Sequence, residues 1–132
     1  MTQLQPTTQT YPLPINIQSL TDETDTGFIC QELCTLIYCQ TLPHTDIPRV
    51  NNFADLKREI LTVKRQLQKR HLALILYECN PTDELVKVCR KLTDIVYIAW
   101  ITSEPIQPPL RGFLPNQPNL ETAIQSWLEE IG

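Results

Sequence analysis

The sequence predicts an α/β domain: a small, mostly parallel central sheet sandwiched between helices in three layers, with an extended N-terminal arm. Three observations predict it. Two apolar runs, Leu72-Ala-Leu-Ile-Leu-Tyr-Glu78 and Ile95-Val-Tyr-Ile-Ala-Trp-Ile101, lack polar alternation, as strands do when both faces are covered. Between and around them lie segments whose apolar residues recur every three or four positions. The joins are short, so helix, strand, helix, strand, helix imply right-handed crossovers and parallel pairing.

Taken in order, residues 1–20 are rich in Thr, Gln and Pro, with Pro6, Pro12 and Pro14 removing backbone donors, and read as an extended arm ahead of a single domain over 21–132. Tyr11, Leu13, Ile15 and Ile17 alternate and are placed to lay one apolar edge on the body. Residues 22–42 fit two patterns. Ile29, Leu33, Leu36 and Ile37 share a helical arc with Asp22 and Asp25 at its start, whereas Cys34–Thr41 is β-branched and aromatic enough for a strand. The reading adopted is a short helix giving way to a strand near Cys34. Residues 43–52 form a loop. Phe53, Leu56, Ile60, Val63 and Leu67 then mark a helix of about four turns. Asn80 is placed to cap the next helix, with Pro81 in its first turn and Leu85, Val88, Cys89 and Leu92 on its buried side. Five prolines in residues 104–118 exclude a helix there. Asn119 caps a last helix with the stripe Leu120, Ala123, Ile124, Trp127, Leu128 and Ile131.

Composition narrows the function. The chain has 132 residues, 42% of them hydrophobic, which suits one globular domain. Ile95–Ile101, the longest apolar run, is about a third of the ~20 residues of a membrane-spanning helix. Residues 1–10 have neither the basic start nor the apolar core of a secretory leader. A net charge of −4 and a pI near 5.1 disfavour nucleic acid as a partner. Five cysteines, an odd number, suit reduced thiols and a cytoplasmic location.

Parallel sheets gather sites at the carboxyl ends of their strands. Those ends offer Tyr77, Glu78, Cys79 and Asn80, then Thr102, Ser103 and Glu104. Cys79, just before a helix start, is a candidate nucleophile, but no His, Arg or Lys stands near it in sequence. The only histidines, His44 and His71, and the 30/34/39 cysteine spacing do not make a zinc set, so no metal is expected. With glycine only at 27, 112 and 132, neither a P-loop nor a dinucleotide fingerprint can be drawn, and no cofactor is expected. Lys57, Arg58, Lys64, Arg65, Lys69 and Arg70 could meet an acidic partner, although such a set is more often a solvated helix face. The proline-rich loop, stiff and bordered by large apolar side chains, fits two readings equally: a groove for a peptide segment between itself and the last helix, or Phe113 and Leu114 closing the core over the sheet. The groove's expected partner-binding residues are Trp100, Leu110, Phe113, Leu114 and Trp127.

Two resemblances extend this reading. The stretch Gly112-Phe-Leu-Pro-Asn-Gln-Pro-Asn-Leu120 with its following helix, and Thr102-Ser103 after a strand, resemble a two-component receiver domain. Asn116 or Gln117 stands where that family has Lys, and Leu72–Glu78 lacks its phosphorylated Asp, so the resemblance implies a receiver-like scaffold without phosphotransfer. The block Arg70-His-Leu-Ala-Leu-Ile-Leu-Tyr-Glu-Cys-Asn80, with the Thr/Gln/Pro-rich start and the Leu120–Ile131 helix, is similar to small cyanobacterial α/β proteins. These include the small carboxysome assembly factors, and that similarity implies capture of a shell-protein tail. The expectation is therefore a non-enzymatic protein-binding or assembly factor, with self-association open. A receiver-like docking module and a small cysteine-dependent enzyme are the alternatives.

Overall fold

The computed structural model describes residues 4–132. Its elements are β1 (Thr10–Asn16), α1 (Thr26–Thr41), α2 (Phe53–Leu67), β2 (His71–Tyr77), α3 (Asp83–Leu92), β3 (Tyr97–Ile101), β4 (Arg111–Phe113) and α4 (Leu120–Ile131), with a short 3-10 turn at Gln18–Leu20. The sheet runs β1-β2-β3-β4 and every pairing is parallel. Helices α1–α3 cover one face and α4 the other, giving the three-layer α/β fold that the apolar runs predict.

The segment read as an arm contributes a full strand, although residues 1–3 lie outside the described residues. Tyr11, Leu13, Ile15 and Ile17 pack into the three-helix core. Pro12 and Pro14 do not break the ladder, because alternate residues aim their peptide groups to opposite sides. Gln9 O accepts from His71 N at 2.8 Å and Ile17 N donates to Tyr77 O at 3.0 Å, so odd-numbered residues face β2. The prolines face outward, and Pro14 O accepts from Gln40 Nε2 at 2.6 Å.

Residues 22–42 correct the expectation of a strand near Cys34: α1 runs unbroken to Thr41. Asp25 caps it, accepting from Phe28 N at 3.1 Å. Buried Ile29, Cys30, Leu33, Cys34, Ile37 and Tyr38 continue one helical stripe past the proposed switch. The β-branched threonines fit because Thr35 and Thr41 return their hydroxyls to the carbonyls of Gln31 and Ile37, at 3.0 and 2.8 Å. Thr82, not Asn80, caps α3 and accepts from Leu85 N at 3.3 Å. Asn119 does hold the N-cap position of α4, but in the left-handed conformation and without a side-chain cap bond. Inside the proline-rich stretch, β4 adds a three-residue strand beside β3.

Candidate functional site

Because all four strands are parallel, their carboxyl ends lie along one edge of the sheet. There the chain leaves neighbouring strands toward opposite faces. After β3 it turns to the three-helix side, where Ile106 packs against the main core. After β4 it turns to the other side, where Leu120 packs with the α4 cluster. Between the diverging exits lies a crevice of about 670 Å³ lined by Tyr77, Glu78, Cys79, Asn80, Ile101, Thr102, Ser103 and Pro115.

Local forces shape its walls. Glu78 leaves β2 with φ +70°, a left-handed conformation that costs a non-glycine residue ~1–2 kcal/mol. The turn is anchored from below, since the buried Trp100 indole N–H donates to Cys79 O at 2.8 Å. Opposite, Thr102 is 4% exposed. Its N–H donates to Phe113 O at 2.9 Å, and its Oγ1 accepts from Glu104 N at 3.1 Å. Its hydroxyl also reaches Asn80 Oδ1 at 3.4 Å, tying the two walls together.

The electrostatics are acidic. Glu78 lines the crevice, and Asp83 and Glu84 occupy the first turn of α3, the position where an open helix N-terminus would favour an anion. Cys79 is half-buried with its thiol 3.3 Å from Asn80 O, and no His, Lys or Arg is among the lining residues. This arrangement can accept backbone or ammonium donors through carboxylate, amide and hydroxyl oxygens. The other buried thiols are poor nucleophiles: burial, reinforced by Asp55, raises Cys30 to about 11, and burial raises Cys89 to about 12. Cys34 rises to about 12 through burial and the nearby Glu59 carboxylate.

The structure separates the five expected partner-binding residues. Trp100 (0% exposed) and Leu110 (4%) belong to the three-helix core, while Phe113 and Trp127 pack edge-to-face across a 6.1 Å centroid separation on the α4 side. The sheet itself stands between the two pairs, so they cannot line one groove. Leu114 alone is at the surface, 53% exposed. The strand-end rule had already pointed to most of the crevice residues; Ile101 and Pro115 were missed, because their place depends on how β3 and β4 diverge.

The basic residues of α2 and of the turn after it are partly engaged within the domain. Lys57 pairs with Asp94 at 2.9 Å, Lys64 donates to Ile95 O at 2.7 Å, and Lys69 donates to Thr7 O at 2.9 Å. Among the described residues no group of three or more His, Cys, Asp or Glu side chains is arranged to hold a metal ion. No helix there is long and apolar enough to cross a membrane.

Fold and site define a small parallel α/β domain with an acidic crevice at its strand ends. The chain belongs to the NACHT C-terminal alpha/beta 1 family, whose model matches residues 1–131. No curated protein and no solved structure matches it. Family membership overturns both resemblances drawn from short blocks, to the carboxysome assembly factors and to receiver domains. The blocks that suggested them, Arg70–Asn80 and Gly112–Leu120, are a covered parallel strand and a strand-to-helix exit that any small α/β sheet needs.

Proposed function

We propose that this domain is the non-enzymatic, C-terminal protein-binding element of a NACHT NTPase, and that it holds an extended segment of a protein partner in the crevice at the strand ends. The observation that carries the reading is the diverging exit of β3 and β4, which opens a crevice with polar walls and an exposed apolar side chain, Leu114, close by in sequence. Peptide carbonyls and amides would find the Asn80 and Ser103 side chains, and an apolar partner side chain would rest on Leu114 and Pro115. The family's description supports the NACHT context.

The test is affinity capture from the producing cells with three forms of the chain, read by mass spectrometry. Ser103 is exposed, so Ser103→Arg fills the crevice without disturbing the core. A protein retained by wild type and by Cys79→Ala but lost by Ser103→Arg is the expected result. The same proteins retained by Ser103→Arg would sink the crevice as the binding site. Loss on Cys79→Ala alone would favour a thiol-dependent activity instead.

A further inference from the structure

Charge in this domain is sorted along the strand direction. Among the seven residues that follow each strand there is no Lys or Arg, but there are six carboxylates: Asp22 and Glu23 after β1, Glu78, Asp83 and Glu84 after β2, and Glu104 after β3. The strand entrances are mainly basic, although Asp94, paired with Lys57, precedes β3, and Glu104 stands between β3 and β4. Arg65, Lys69 and Arg70 lead into β2, Arg90 and Lys91 lead into β3, and Arg111 opens β4.

Helix dipoles account for only part of this sorting. They favour carboxylates in the first turn of α3 and cations in the last turns of α2 and α3. Glu78 and Glu104 lie outside any helix and are in no ion pair among the described residues. Arg70 and Arg111 likewise lie outside any helix, and α4 departs from the rule by ending in Glu129 and Glu130. Those two leave the cations concentrated at the entrances of β2–β4, away from the start of β1, where Gly132 O meets Gln9 N.

We propose that the partner received at the acidic strand-exit end is a second copy of this chain, presented by its basic strand-entrance end. The inference rests on the reading of the crevice as a protein-binding site and names its occupant. The turn before β2, with the exposed Arg65 and Arg70 beside it, takes the place of an extended segment and is directed at the crevice of the next copy, whose rim supplies Glu78, Asp83 and Glu104. Such a contact joins unlike surfaces, so each copy keeps one free acidic and one free basic end. Copies therefore add head to tail. The attraction acts between charges at the surface and weakens with salt.

Sedimentation velocity on the full chain tests it, using wild type, Arg65→Glu/Arg70→Glu and Asp83→Lys/Glu104→Lys. All four positions are solvent-exposed, so the core is left alone. Wild type is expected to associate in ~0.01 M salt, where the Debye length is ~30 Å, and to weaken at least about tenfold in ~1 M salt, where it is ~3 Å. Each double variant alone is expected to be monomeric. Mixed, the two variants regain association, because every reversed end then meets one of opposite sign. That recovery also shows that both variants are folded. A monomeric wild type, or a mixture that stays monomeric, overturns the proposal. If self-association fails while Ser103-dependent capture of another protein persists, the second copy is wrong and the protein-binding reading stands. If both fail, both are wrong.

Discussion

Phe113 and Leu114 are neighbours in sequence that meet opposite environments, 4% and 53% exposed. Truncating the first empties a packed cluster, so Phe113→Ala is expected to lower unfolding free energy by ~3–5 kcal/mol in urea titrations. Leu114→Asp should stay within ~0.5 kcal/mol of wild type. Equal losses in the two variants would show that Leu114 is buried against something. His71 gives a pH signature. Burial, then the charges of Lys64 and Arg70, hold its imidazole below the ordinary 6.5. Below pH 6.5 the unfolded chain therefore takes up a proton that the folded chain resists. Stability falls as pH drops through that window and is complete above 6.5. Thermal melts across the window should show a shallower slope for His71→Gln; an unchanged slope would assign the effect to other groups. At this scale the candidate site was half legible. Strand ends could be read from the apolar runs, but Trp100, Phe113 and Trp127 looked like anchors for the same reason that they fill cores. Size and aromaticity serve both roles, and only the face each residue occupies separates them.

The elements that could be read from sequence are those with contrast between their faces. α2, α3 and α4 carry apolar stripes against charged ones, and β2 and β3 are uninterrupted apolar runs. α1 lacks that contrast: Phe28 is exposed, Leu36 is partly buried, and the segment reads as apolar nearly all round. β4, at three residues, is too short to show a period. β1 was obscured by its prolines, which turn out to mark which side of the strand is the edge. An edge strand with two outward prolines offers fewer donors to a foreign strand. Replacing Pro14 by Val restores an outward N–H at the centre of β1. Pro14→Val is expected to aggregate faster than wild type on mild heating, followed by light scattering. No difference between the two would mean that Gln40 and the neighbouring side chains already guard this edge.

At the scale of the molecule, the two faces of the sheet are covered unequally, by three helices and by one. The thinner side is reinforced by the residues ahead of β1. Leu4 packs into the α4 cluster, while Gln5 N donates to Gln125 Oε1 at 2.9 Å and Gln125 Nε2 returns a bond to Gln5 O at 3.1 Å. The side-chain amide of Gln125 thus stands in for a strand's peptide group and fastens residues 4–9 along the last helix. Three-layer architecture was legible because helix and strand patterns alternate. Unequal coverage was not, since it depends on which way the chain turns after β4.

The juncture of Gln9 with Gly132, N–H to carbonyl at 3.2 Å, has a mechanical meaning. Both residues sit at the entrance end of β1, so tension applied between them does not load the β1–β2 ladder in shear. It opens the clasp first and then peels β1 from β2 one hydrogen bond at a time, beginning with the bond from His71 N to Gln9 O. A pull of that kind meets little resistance at any one moment. The edge strand is a seam expected to yield under modest force, and its departure would withdraw Leu13, Ile15 and Ile17 from the three-helix core.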